Sequence, residues 1–181
     1  FIYQVGEAQI DLENAPYGGA RYPVSALIDK KLYVRFQLDV GADFLLDQVE
    51  MIQGGKWLES YGIPAPMIPM ISIEQQFAEK LHAYTFFRGE RVNTRPKDLI
   101  DMVLLLDMKT PEADAMLRAL QKVFKKRGTH PLPKRLAPPP DAWNAPFVEM
   151  ALECGLSQNM QESFDRVSQF FNHLMNSQES P

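Results

Sequence analysis

Residues 94–106 read TRPKDLIDMVLLL, a charged segment that runs directly into an apolar helical pattern. Pro96 suits the first turn of a helix, because the N–H that proline lacks has no partner there. Asp98 and Asp101 are three residues apart and fall on one side of that helix near its start. The positions that would bury the rest of the helix share a helical spacing: Leu99, Met102, Val103 and Leu106. We therefore predict a core helix that begins with a group of charged residues.

The composition is that of a globular protein. The chain has 181 residues, of which 45% are hydrophobic, and a formal net charge of −4. This length predicts one domain, or one domain with an appendage, and the charge excludes a general attraction to nucleic acid. The apolar runs are far shorter than the ~20 residues that span a bilayer, so we predict no membrane contact.

The single cysteine, Cys154, excludes an intramolecular disulfide and a cysteine-rich zinc site. It indicates a reducing, cytoplasmic setting. Because it continues an apolar stripe with Trp143, Phe147 and Met150, we predict that it is buried as a small hydrophobic residue.

The first part of the chain has strand patterns. Two strand-like runs flank residues 29–31, and residues 34–40 (VRFQLDV) alternate between apolar and polar. The apolar set predicts a face packed on a core: Val34, Phe36, Leu38 and Val40. The opposite face is polar and ends in Asp39, just before Gly41 breaks the strand. Residues 54–70 carry glycine and proline throughout and predict a loop.

Helical patterns fill the rest of the chain. Ser72 and Gln75 fit a capping box, and helically spaced apolar residues follow: Ile73, Phe77, Leu81 and Tyr84. Another helix is predicted over 111–127, ended by cations and Gly128. Two more helices follow a proline-rich connector. The prediction is an α+β protein with a main domain at 1–130, the connector at 131–140 and a helical C-terminal segment at 141–176.

Two single residues are candidates for chemistry. Asp39 at a strand end is well placed to bind a divalent metal, but a solvated charge on an exposed sheet face explains it as well. Lys80 lies beside the apolar stripe of its helix. It is either a compact positive charge for a phosphate or an ordinary lysine at the edge of the core. Its neighbour Glu79 reads as a plain solvated charge.

The acids at the head of the opening helix need cationic partners or solvent. Arg88, Arg91, Arg95 and Lys97 are close in sequence to Asp98 and Asp101. Such a cluster suits a triphosphate with its metal, and it equally suits a structural ion-pair network.

Residues 122–135 form the strongest local positive region, with no acid among its cations: Lys122, Lys125, Lys126, Arg127, Lys134 and Arg135. This region either grips an RNA backbone or is a solvated helix end. The three histidines, His82, His130 and His173, lack metal-binding spacing.

Several segments together resemble one family. They are LDVGAD (38–43), ISIEQQFAEKLHA (71–83), RVNTRPKDLIDM (91–102), FKKRGTHPLP (124–133) and PPPDAW (138–143). In combination they resemble the AbiEii/AbiGii-type toxin nucleotidyltransferases, which belong to the minimal-nucleotidyltransferase superfamily. The resemblance extends from about residue 20 to residue 174.

The resemblance implies transfer of a nucleotide from an NTP to an acceptor, tRNA or another RNA, in a bacterial abortive-infection or toxin–antitoxin system with a cognate antitoxin. It implies a nucleotidyltransferase-like mixed sheet, incomplete in this chain, packed by helices. Asp39 would be the third acidic residue of the catalytic metal site and would bind Mg²⁺. Lys80 would contact the triphosphate, and Asp98 would be the acidic residue of the last motif. Arg95 and Lys97 would lie near the phosphates. The acceptor RNA would lie on four basic residues: Lys122, Lys125, Lys126 and Arg127.

The chain departs from the family pattern at two places. Asp43 is one residue short of its expected position, so no role is assigned to it. The Gly-Ser turn and its acid pair are missing, and residues 17–20 (YGGA) are not that motif. Since the chain starts at Phe1, we expect the motif upstream and expect this piece alone to be inactive. The alternatives are a non-catalytic RNA- or antitoxin-binding module and a purely structural interaction domain.

Overall fold

A computed structural model describes residues 2–11, 18–47, 49–86, 95–108 and 111–177. Contacts within the chain divide it into two compact units, Phe1–Leu45 and Leu46–Pro181. The described residues form five α-helices and two small antiparallel sheets. The predicted α+β class is therefore confirmed. Among the described residues, no helix combines the length and the apolar character that crossing a bilayer requires.

The first unit is an antiparallel sheet of four strands: β1 (Ile2–Val5), β2 (Ile10–Asp11), β3 (Gly19–Ile28) and β4 (Lys31–Gly41). β3 pairs with β4 along its whole length, and its other edge pairs with β1 and β2. A two-residue turn joins β3 to β4, with Asp29 and Lys30 at φ of 47° and 59°. Both residues thus adopt the positive φ that a tight hairpin turn requires.

The β3–β4 ladder contains a bulge. Leu27 pairs with Leu32, but Ala26, one position further from the turn on β3, pairs with Val34. Tyr33 is therefore an extra residue in β4. From the bulge to the end of the hairpin the pairing is regular and brings Arg21 opposite Asp39.

The apolar face of β4 corrects one prediction. Its four apolar residues do alternate with polar ones, but each is between 44% and 50% exposed: Val34, Phe36, Leu38 and Val40. The prediction that this face packs on a core is therefore wrong for the described chain. Among the described strands of this unit only β3 has neighbours on both edges, and the buried hydrophobic residues that the structure describes here, Val24 and Ala26, lie on it.

The second unit begins with a two-stranded sheet of β5 (Glu50–Gln53) and β6 (Met67–Met70). The prediction of an unbroken loop over 54–70 is wrong, because β6 lies within it. Pro69 concealed this strand in the sequence. In a two-stranded sheet each strand has a free edge, where a proline without an N–H is tolerated.

Five helices complete the second unit: α1 (Ile73–Thr85), α2 (Pro96–Met108), α3 (Ala113–Arg127), α4 (Asn144–Glu153) and α5 (Met160–Asn176). α2 contacts α1, α4 and α5, and α1 also packs against α3. The apolar positions predicted for α1 are all buried. In α2, Leu99, Met102 and Val103 are buried and Leu106 is half-buried. The opening stretch therefore forms the central helix of this unit.

The predicted helix ends are also present. The Ser72 hydroxyl accepts a hydrogen bond from the Gln75 N–H at 3.2 Å, which is one half of the predicted capping box. The Gln75 side-chain oxygen, which the other half would direct to the Ser72 N–H, accepts instead from the Leu46 N–H at 3.0 Å. Gly128 ends α3 in the left-handed conformation at φ 62°, and its N–H donates to the Phe124 carbonyl. A residue with a Cβ would be strained at that φ.

Cys154 is exposed, so the prediction of its burial is wrong. α4 ends at Glu153, and Gly155 then turns the chain at φ 68°. The helical spacing that would have carried Cys154 into the core therefore stops one residue too early. Trp143 and Phe147, earlier in the same stripe, are buried.

Candidate active site

Four charged residues meet where α1 packs against the first turns of α2, and we call them the Lys80 cluster: Lys80, Arg95, Asp98 and Asp101. Lys80 Nζ lies 2.6 Å from Asp101 Oδ2 and 3.7 Å from Asp98 Oδ1. Arg95 donates to Asp98 Oδ1 at 3.2 Å and brings its Nε to 2.6 Å from Oδ2. The second contact is an ion pair without hydrogen-bond geometry.

Asp98 is the buried centre of the cluster. Its side chain is 0% exposed, whereas those of Lys80 and Arg95 are 32% and 30% exposed. Burial raises the pKa of the Asp98 carboxyl, and the charges of Arg95 and Lys80 oppose this effect. The buried carboxylate thus has two cationic partners whose side chains remain partly accessible to an external anion.

Lys97, in the same turn, is exposed. The cluster and Lys97 together carry three cations and two carboxylates. The N-terminus of α2 also lies here, and a helix N-terminus favours anions. This end of α2 therefore has the electrostatic character of an anion site.

Asp39 belongs to the other unit and has a different environment. Arg21, opposite it on β3, donates to both carboxylate oxygens at 2.6 and 2.7 Å. This hydrogen bonding lowers the pKa of the Asp39 carboxyl. In the part of the chain that the structure describes, no group of three or more His, Cys, Asp or Glu residues is arranged to hold a metal ion. Asp39 is thus not part of a three-residue metal-binding group among the described residues.

The four predicted RNA-binding residues fall into two sets. Lys122, Lys125 and Lys126 are exposed at the end of α3. Arg127 donates to Glu79 Oε2 from Nε at 2.9 Å and from a terminal nitrogen at 2.7 Å, and both side chains are largely buried. Reading Glu79 as a solvated charge was therefore wrong, since it links α1 to α3.

A chain of histidine and threonine side chains, which the sequence did not reveal, lies beside this link. His82 Nε2 is 2.8 Å from Thr129 Oγ1, which is 2.9 Å from His130 Nδ1. His130 Nε2 is 2.8 Å from Thr85 Oγ1, which donates to the Leu81 carbonyl at 2.8 Å. Because the Thr85 hydroxyl donates its hydrogen to the Leu81 carbonyl, Thr85 Oγ1 accepts a hydrogen bond from His130 Nε2. Thr129 then donates to His130 and accepts from His82.

In the neutral state that burial favours, this pattern places the hydrogen of both imidazoles on Nε2. Burial, followed by the charges of His130 and Arg127, lowers the pKa of His82 to about 4. Burial also lowers the pKa of His130. Nothing in the spacing of these histidines indicated their contact, because 48 positions separate them along the chain. Of the other residues considered above, Arg88, Arg91 and Tyr17 lie outside the described residues.

Comparison with known proteins identifies the class. The model of one sequence family, described as the nucleotidyl transferase AbiEii toxin of a type IV toxin–antitoxin system, matches residues 2–171. The chain belongs to this family of nucleotidyltransferase toxins. The resemblance drawn from the sequence motifs is thereby confirmed. No curated protein matches the chain significantly.

Proposed function

We propose that the protein transfers a nucleotide from an NTP to an acceptor RNA, with Lys80, Arg95 and Lys97 binding the triphosphate. Family membership supports the reaction class. The observation that carries the assignment of the site is the buried Asp98 carboxylate with two cations beside it, Arg95 and Lys80, each about one third exposed. A tRNA is one possible acceptor, the cytoplasm is the proposed location, and an antitoxin is the expected protein partner.

The reaction forms a bond between an acceptor hydroxyl oxygen and the α-phosphorus, releases the hydroxyl proton to solvent and breaks the bond between that phosphorus and pyrophosphate. Negative charge builds up on the leaving pyrophosphate as this bond breaks. Lys80 and Arg95 are proposed to stabilise that charge and to hold the phosphates in line. Their contribution is thus orientation and electrostatic stabilisation.

Mg²⁺, with Asp39 as one ligand, is part of the proposal through the family resemblance. Asp39 would have to exchange Arg21 for the ion, since both of its oxygens bind the guanidinium. The ion would supply charge neutralisation at the phosphates.

The first test incubates the full-length protein with each labelled NTP, Mg²⁺ and total RNA. We expect label in the RNA fraction, and we expect Asp39→Asn to lower its rate of appearance at least about tenfold, as loss of groups that hold a metal does. Asp29→Asn is the matched control, because it removes an exposed carboxylate at the turn of the same hairpin. No incorporation of any NTP, or an Asp39→Asn rate equal to that of the parent, would refute the proposal.

A second prediction concerns RNA binding. Lys122→Gln and Lys125→Gln should each reduce the slope of log affinity against log salt by about 0.7, because each removes one phosphate contact to a single strand. Arg127→Gln should leave that slope unchanged and lower the melting temperature, since Arg127 is bound to Glu79. Binding titrations at several salt concentrations measure the slopes. Equal slopes for the parent and both lysine variants would place the RNA elsewhere.

A non-catalytic RNA-binding module is the second candidate function. It is favoured by the exposed lysines of α3 and by the lack of a three-residue metal site among the described residues. RNA binding that needs no Mg²⁺ and survives Asp39→Asn, in a protein that incorporates no NTP, would support it.

A further inference from the structure

We infer that Asp101 is a positioning residue for nucleotide binding, which holds the Lys80 ammonium at the open side of the cluster. This inference rests on the proposed function, because it assigns a role within the same phosphate site. Asp101 has no direct role in that proposal.

The geometry separates Asp101 from Asp98. Lys80 Nζ makes its short contact, 2.6 Å, with Asp101, and lies at 3.7 Å from Asp98. The Asp101 side chain is 36% exposed, whereas Asp98 is fully buried and already has Arg95 as a partner. The ammonium is therefore drawn toward the more exposed of the two carboxylates.

The flexible side chain of Lys80 needs the contact with Asp101 to keep its ammonium group in one position. A lysine carries its charge on four flexible carbons and fixes its position only through its partners. Without the Asp101 carboxylate, the remaining attraction of Lys80 in the cluster is to buried Asp98. The ammonium would move toward that carboxylate and away from the solvent side, where a triphosphate would approach.

The Lys80–Asp101 ion pair is not needed to stabilise the fold. Partly exposed ion pairs contribute little to folding, so Asp101→Asn should fold as the parent does. The same helix provides a matched control. Asp107, also on α2, forms an ion pair with Arg166 at 2.5 Å, and both side chains are 46% exposed. Asp107→Asn removes a comparable charge and ion pair outside the cluster.

The experiment measures binding of each of the four NTPs to the full-length protein by calorimetry. Asp101→Asn should raise the Kd of the preferred NTP about tenfold, equivalent to about 1.4 kcal/mol of binding free energy. Asp107→Asn should leave it unchanged. Asp101→Glu, which keeps the carboxylate, should restore part of the affinity. In steady-state kinetics the KM should rise more than kcat falls.

The decisive readout is a double-mutant cycle. If Asp101 acts through Lys80, then Asp101→Asn should cause no further loss in a Lys80→Met background. An equal loss in both backgrounds, or no loss in the parent background, would overturn the inference while the proposed function stands. If the parent binds none of the four NTPs, the proposed function itself fails, and the inference fails with it.

Discussion

Lys80→Met is expected to lower the rate of nucleotide transfer about 100-fold or more, the cost of removing one fixed electrostatic stabiliser of a transition state. Methionine keeps the length and the apolar stem of the side chain and removes only the charge. The Lys80 side chain is one third exposed, and Arg95 still neutralises buried Asp98 in the variant. The fold should therefore persist while the phosphate site loses its central cation.

The measurement is the initial rate of label transfer to RNA, with circular dichroism as the check on folding. Lys56→Met serves as the control, because Lys56 is an exposed lysine of the same unit whose ion-pair partner is Glu59 at 4.0 Å. A Lys80→Met rate within a fewfold of the parent would remove Lys80 from the phosphate site.

Acidification is expected to destabilise the second unit through protonation of His82. The free energy of unfolding should fall by on the order of 2–3 kcal/mol between pH 6.5 and pH 4. The pKa of His82 falls from 6.5 to about 4 on folding, so the unfolded chain binds the proton more tightly. The stability is fully present above pH 6.5 and is lost progressively as the pH falls toward 4. A proton on His82 would meet the charge of Arg127 and the neighbouring His130 ring.

Urea unfolding at a series of pH values measures this effect, and the slope of stability against pH is the informative quantity. His82→Gln should flatten that slope in this window, whereas His173→Gln, which changes an exposed histidine of α5, should leave it as in the parent. Asp98 contributes with the opposite sign, since burial raises its pKa and its ionised form costs stability as the pH rises. The difference between parent and variant removes the contribution of Asp98 and reports His82 together with its coupling to His130. Identical slopes for parent and His82→Gln would contradict the prediction.

Local sequence patterns predicted the helices well. The capping serine Ser72, the first-turn proline Pro96 and the terminal glycine Gly128 act on their own helix ends, so their signals lie within a few residues. Burial of the helical stripes followed from spacing alone. Burial of β4 did not, because whether an alternating strand is covered depends on elements elsewhere in the chain.

The same distinction explains the candidate site. The residue types at the head of α2 indicated phosphate chemistry, and Lys80 was singled out from its place beside the apolar stripe. Their pairing was not predictable, since Lys80 meets Asp101 only because α1 packs on α2. The link from Glu79 to Arg127 spans 48 positions, and no local pattern encodes such a contact.

The bulge at Tyr33 has a consequence for the hairpin that carries Asp39. If the pairing at the turn continued without a shift, Asp39 would face Ala20 and Arg21 would face Leu38. Polar residues of one strand would then lie opposite apolar residues of the other. The extra residue realigns the sides. Deleting one residue from a strand ordinarily turns the side chains beyond it to the opposite face of the sheet. Deleting Tyr33 would leave the β3 partners of all later β4 residues unchanged. Loss of any other residue between Tyr33 and Asp39 would instead shift the residues of β4 that lie between the bulge and that position against their partners on β3.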